Sequence, residues 1–156
     1  MRDELRRVRS IADYQFGKGV GSRLFPENVE ILCSKSTGRI RYVNHEGKRL
    51  ATLRPTDGFL SLSIRAAKSI VESSVSLECI VRVRSDVAKF VAEGSDVFAG
   101  HVVAAEDGIR PKDEVIVVDE SNQVLAIGRA LLSASEMKAF EVGVAVKVRH
   151  GRKKQG

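Results

Sequence analysis

Apolar positions recur at helical spacing at the start of the chain. Leu5, Val8 and Ala12, with Ile11 beside them, predict an amphipathic helix over residues 2–14. Asp3 is expected as its N-cap, with Arg2, Arg6, Arg7 and Arg9 largely on the solvent face. Gly17, Gly19 and Gly21 are expected to end the helix and form a flexible loop. The period then changes to two. Val29, Ile31 and Cys33 alternate with Glu30 and Leu32, and runs at 39–43 and 50–53 flank Asn44-His45-Glu46-Gly47, a hairpin signal. Phe59, Leu60, Leu62 and Ile64 predict another strand. Ser63 is expected to cap a helix in which Ala67, Ile70 and Val71 face the sheet.

Ser73-Ser74 marks the expected boundary between residues 1–73 and 74–151. Beyond it, residues 77–84 alternate as a strand. Asp86 is expected to cap a short helix over 87–93, with Val87, Phe90 and Val91 as its apolar face and Gly94 as its end. A strand at 102–104, a turn at Glu106-Asp107-Gly108 and a hairpin of 115–118 with 124–127 follow. Gly128 sits where a bulge or close approach is expected. Ser133 and Glu136 form a capping box, and Val144, Val146 and Val148 share one face of a last strand. The order is α+β in the first part. Many short strands in the second predict a small closed barrel. Residues 152–156 read as a basic, frayed tail.

Composition narrows the function. The 156 residues carry 26 basic and 20 acidic side chains, a net charge of +6 that favours a polyanionic partner. No apolar run reaches membrane-spanning length, and residues 1–7 hold no apolar signal core, so a cytoplasmic protein is expected. Cys33 and Cys79 are far apart and read as small buried hydrophobes rather than a disulfide or zinc pair. His45, His101 and His150 show no metal-ligand spacing, no nucleophile or phosphate-loop motif occurs, and no cofactor or metal is expected.

The segment from about residue 80 to 151 resembles a PUA domain, a small pseudobarrel found in RNA-modifying enzymes and ribosome-biogenesis factors. The resemblance rests on the order of the helix 87–93, the loop 94–100, the strand at 101–103, residues 110–115, the hairpin ending 126–130, and the closing strand 143–151. The first half is similar to the domain that precedes PUA in the C-terminal region of archaeal tRNA-guanine transglycosylase. The matching pieces are residues 11–17, 24–26, 34–41 and 50–54, continued by Asp57-Gly58-Phe59 and Leu62-Ser63. The implied architecture is a small α/β pre-PUA domain followed by a PUA-type mixed β pseudobarrel. The catalytic barrel of that enzyme has no counterpart in this stretch. The resemblance therefore implies RNA binding, above all to tRNA, without catalysis by this chain alone, with a separate transglycosylase-type chain as expected partner. A ribosome-biogenesis or translation factor, and a protein-interaction module, stand as alternatives.

The resemblance also supplies the RNA-binding candidates: the loop Gly94, Ser95, Asp96, Val97, Phe98, Ala99, Gly100 and His101, with Arg149, His150 and Arg152 on and after the strand beside it. The plain structural alternative makes Gly94 a helix end, Gly100 a packing site, Phe98 a core side chain and the basic residues a solvated tail. Asp96 is unexpected beside phosphate and suits a base or a turn. Lys35, Arg39 and Arg41 recur at period two and are expected on one sheet face, either solvated or touching phosphates. Tyr14, Phe16, Phe25 and Tyr42 are candidate stacking platforms, with Phe16 and Phe25 expected in the core. The glycine loop 17–22 follows no clear strand and opens no strong helix, so it reads as a connector rather than a nucleotide site.

Overall fold

The computed structural model describes residues 2–154, in two compact units that divide between Leu77 and Glu78. In the first unit, helix α1 (Asp3–Phe16) buries Leu5, Val8, Ala12 and Phe16, the stripe that its spacing predicts. Its N-cap is Arg2, with no side-chain cap bond, and Asp3 is the first helical residue instead. Arg2 and Arg9 are not simply solvated. Arg2 donates to the carbonyls of Glu27 and Val29, each at 3.0 Å, and Arg9 Nε to that of Phe25 at 2.9 Å.

The glycine segment is ordered, not a flexible loop. Gly17 ends α1, Gly19 is the left-handed N-cap of helix α2 (Val20–Leu24), and Gly21 lies inside α2. A Cβ on Gly21 would run into the backbone of Arg9, so glycine here is what lets the two helices touch. The Gly21 amide also donates to Asp13 Oδ1 at 2.6 Å.

Strands β1 (Glu30–Cys33), β2 (Ile40–His45), β3 (Lys48–Leu53) and β4 (Leu60–Leu62) form an antiparallel sheet in sequence order. The β2–β3 hairpin turns tighter than expected, on Glu46 and Gly47 alone, both at positive φ (53° and 77°). Gln15 seals the β4 edge. Its side-chain amide accepts from the Leu60 N–H at 2.6 Å and donates to the Leu60 carbonyl at 3.1 Å, copying a neighbouring strand. Ser63 caps α3 (Ile64–Val71) by accepting from the Ala66 N–H, and Ala67 and Ile70 are buried. Val71 is only half-buried. Cys33 is exposed, not buried, because β1 is an edge strand. Its thiol donates to Glu4 at 3.3 Å, a bond that raises its pKa.

The second unit is a mixed sheet ordered β6-β10-β9-β8-β5-β7. Its strands are β5 (Ile80–Val83), β6 (Val97–Phe98), β7 (Val102–Ala105), β8 (Glu114–Val118), β9 (Val124–Ala130) and β10 (Val144–Gly151). Only β5 and β8 pair in parallel among them. β6 and β7 close the two ends of this order yet are joined by the single turn Ala99–His101, so the sheet curls into a nearly closed pseudobarrel. Val81, Val83, Val117, Leu125 and Val146 fill it, with Met137 from helix α5 (Ala134–Ala139). The capping box of Ser133 and Glu136 starts α5. The expected helix over 87–93 is a 3-10 turn (Ser85–Val87) followed by α4 (Ala88–Ala92). Asp86 does not cap it. Glu120, from the β8–β9 turn, accepts the Ser85 N–H at 2.9 Å, and this bond holds Glu120 below the usual carboxylate range. Asp86 pairs instead with Arg84, which lowers its pKa too.

Replacing Gly21 by Ala is expected to cost about 1–3 kcal/mol of stability in urea unfolding followed by circular dichroism. The exposed neighbour Ser22→Ala is expected to stay within about 0.5 kcal/mol of wild type. A neutral Gly21→Ala contradicts the close helix crossing.

Candidate nucleic-acid interface

The loop after α4 and the last strand run antiparallel, and four contacts register them. Gly151 lies where a Cβ would meet the Ala92 carbonyl and the Gly94 nitrogen at 2.5 and 2.6 Å. Asp96 Oδ1 accepts the Val148 N–H at 2.9 Å. Val97 pairs with Val146, and Phe98 with Val144. Asp96 therefore neither caps a turn of its own loop nor points a free oxygen outward from Oδ1; it bolts the loop to β10. Lys147 Nζ lies 3.4 Å from its other oxygen.

This pairing sorts the loop residues into two sets. Val97 and Ala99 are buried at 1% and 2% exposure and anchor the loop. Gly94 ends α4 at φ +112°, and Gly100 passes so close to the Glu141 carbonyl that a Cβ would sit 2.8 Å from it. Ser95, Phe98 and Gly100 face solvent, while His101 is half-buried. Phe98 is not a core side chain: it is 48% exposed, with the His101 ring edge-on to it at 5.9 Å. Phe90, expected on the inner face of α4, is 56% exposed as well. Val91 and Ala92 take the inner positions, and the Phe90 carbonyl receives the Ser95 N–H.

Two bulges shape β10. Pairing with β6 skips Ala145, and pairing with β9 skips Arg149. A bulge re-aims the extra side chain. Here it turns Arg149 across β9 to Glu114, whose side chain is fully buried. Nη1 donates to Oε1 at 2.8 Å and Nη2 to Oε2 in a two-pronged pair. Gly128 makes room on β9, where a Cβ would strike the Lys147 carbonyl. His150 is exposed. Arg152 is half-buried and donates to the Val124 carbonyl at 3.2 Å, so it is held rather than frayed. The tail expected at residues 155 and 156 lies outside the described residues.

The structure thus brings loop 94–101 against the outer edge of β10, where Lys147 reaches Asp96 and His150 is exposed further along the strand, while the Arg149 side chain turns away across β9 to Glu114. Lys35, Arg39 and Arg41 belong to the first unit and do not form the single face that their spacing predicts. Lys35 sits in the β1–β2 turn, Arg39 just before β2, and Arg41 is the extra residue that the β1–β2 pairing skips. Lys147 was legible as an outward position between Val146 and Val148 but was not among the candidates. The exposure of Phe90 and the Glu114 partner of Arg149 have no local signal. Among the described residues, no group of three or more His, Cys, Asp or Glu is placed to hold a metal, and no helix is long and apolar enough to cross a membrane.

A curled mixed sheet closed by a short glycine-bounded loop against its last strand defines a PUA-domain protein, and residues 80–152 match the PUA domain. Residues 6–76 match the patch-forming domain C2 of tRNA-guanine transglycosylase. The chain carries these two domains in this order, and its two halves together are homologous to the C-terminal region of archaeal tRNA-guanine(15) transglycosylases. It is 44% identical to the enzyme of Methanobrevibacter smithii over 98% of this chain and 23% of that one. It is 46% identical to that of Pyrococcus abyssi over 94% of this chain and 25% of that one. The chain thus spans about a quarter of the length of these curated relatives. Two solved structures share the fold. One is a protein of Pyrococcus horikoshii (TM-score 0.79, 24% identity, covering 97% of this chain and 92% of that one). The other is a conserved PUA domain protein of Thermoplasma acidophilum (TM-score 0.69, 23% identity, 98% and 91%).

The Arg149–Glu114 pair predicts an asymmetry. Arg149→Met removes the two-pronged cationic partner of a buried carboxylate and is expected to cost about 3 kcal/mol or more. Glu114→Gln leaves a guanidinium that is already 34% exposed and can be hydrated, so it should cost less. The double variant should recover part of the Arg149→Met loss. Urea unfolding of the three variants checks this, and equal single losses contradict it.

Proposed function

We propose that this chain is a non-catalytic RNA-binding module that recognises tRNA and serves a separate transglycosylase-type catalytic chain in tRNA modification. The observation that carries the reading is the rail of loop 94–101 along β10, exposed through Ser95, Phe98 and Gly100, with Lys147 and His150 exposed on that strand. Relatives that are 44% and 46% identical are tRNA-guanine(15) transglycosylases, which supports tRNA as the RNA.

Each part of the rail has a task in this reading. Phe98 offers a π-face for an unpaired base, which tolerates any base identity. Gly100 brings main chain to the surface, so an RNA strand approaches the backbone without a side chain in the way. Lys147 supplies charge, and His150 a ring nitrogen for hydrogen bonding, toward phosphates. Glu114 engages both Nη groups of Arg149, so this arginine braces β10 from the other side of the strand. The clamps at Asp96 and Gly151 make the rail rigid before RNA arrives, which lowers the ordering cost of binding. Phosphate contacts position the RNA, and the loop reads its end.

Binding to intact tRNA, to tRNA lacking its 3′ end and to rRNA fragments, over a salt series, tests the reading. Preference for intact tRNA is expected, with Phe98→Ala weakening it by about 1–3 kcal/mol, the worth of one stacked base. Preference for rRNA points to a ribosome-directed factor and contradicts the tRNA assignment. Equal, steeply salt-dependent binding to every RNA contradicts end recognition, and no RNA binding leaves a protein-interaction module.

A further inference from the structure

The outer face of the first unit's sheet gathers two arginines around one tyrosine. Val43, Ala51 and Leu62 are buried on the inner face. The opposite face presents Tyr42 at mid-sheet, paired with Leu32 on β1 and Thr52 on β3, and Ser61 beyond Thr52 on β4. One residue row away, Asn44 on β2 stands opposite Arg49 on β3. The Arg49 guanidinium lies over the Tyr42 ring at 3.7 Å from its centroid, with Nε donating to Asn44 Oδ1 at 2.7 Å. Arg41, the bulged residue, brings a second guanidinium to 5.5 Å from the same centroid.

Neither arginine has a carboxylate partner among the described residues. Glu30 shares the Asn44 row, but no ion pair joins it to either of them. Arg41 Nε is buried with no hydrogen-bond partner, a donor that the protein itself leaves unmatched. Stacking on tyrosine and the bond to Asn44 fix the Arg49 fork and leave its Nη donors to one side. Two guanidinium forks gathered around one ring, with Nη groups that no carboxylate of the described residues takes up, suit a phosphate's clustered oxygens, and Asn44, Thr52 and Ser61 add neutral hydrogen-bonding groups around them.

We propose that Arg41, Tyr42 and Arg49 form a phosphodiester-binding site for the RNA backbone. The proposal rests on the RNA-binding reading above and adds to it a contact surface in the first unit. The tyrosine is the positioning residue, and the two arginines touch phosphate.

The test is the salt dependence of tRNA binding by the full chain. Each phosphate contact contributes about 0.7–0.9 to the log–log slope. Arg41→Gln/Arg49→Gln is expected to lower the slope by about 1.4–1.8. Arg6→Gln/Arg7→Gln, which removes the same charge from exposed positions of α1, is expected to leave it close to wild type. Arg49→Lys keeps the charge and loses the flat stack, and should weaken binding several-fold; it decides the matter if the double variant fails to fold. Equal losses from both arginine pairs mean diffuse attraction and overturn the proposal. Wild-type binding by the Arg41/Arg49 double variant or by Arg49→Lys overturns it while the RNA reading stands. A wild-type chain that binds no RNA overturns both.

Discussion

The bond from the Val148 amide to the Asp96 carboxylate is the constraint on which the interface depends. β6 is only two residues long, so most of the outer edge of β10 has no strand beside it. An open edge with unpaired amides is a site for wrong pairing and a source of slack. Asp96 satisfies one of those amides beyond the last β6 pair, and Gly151 lets the chain end of β10 pass against α4 and Gly94. Between these points the loop has little freedom, and Phe98 and Ser95 are presented outward from anchored neighbours at Val97 and Ala99. An acid in the middle of a basic, RNA-directed surface is therefore a structural part of that surface.

The same economy appears in the bulges. A regular β10 would alternate Val144, Val146, Val148 and His150 on one face. Skipping Ala145 lets both Ala145 and Val146 be buried, and skipping Arg149 sends its side chain toward Glu114. In the first unit, skipping Arg41 breaks the shared face with Arg39 and moves its guanidinium toward Tyr42. In both units a basic residue is aimed by an irregularity in strand pairing: Arg149 to a buried carboxylate, Arg41 toward a tyrosine ring that Arg49, held by Asn44, already covers.

What was legible in the sequence follows from which interactions are local. The α1 stripe, the Ser63 cap, the Ser133–Glu136 capping box and the β2–β3 and β8–β9 hairpins rest on residues a few positions apart, and all are present. The order of pieces around the loop and last strand carried the family resemblance. The misses are long-range. The glycine segment reads as flexible until Gly21 is seen against Arg9. Asp86 looks like a cap until Glu120 supplies the acceptor from 35 residues away. Cys33 looks buried by alternation, but β1 turns out to be an edge. Arg149 looks like a free phosphate ligand until the bulge pairs it with Glu114. Strand bulges leave no reliable mark in one sequence, because a single skipped residue changes every face assignment after it.

Backbone amide mapping of the full chain during titration with tRNA tests the central claim most directly. The account predicts that the largest shifts fall on Ser95, Phe98, Gly100 and His101 and on Lys147–Gly151 of β10, with Val97 and Ala99 moving less. Shifts that leave both of these segments untouched while tRNA binds elsewhere on the chain would contradict it.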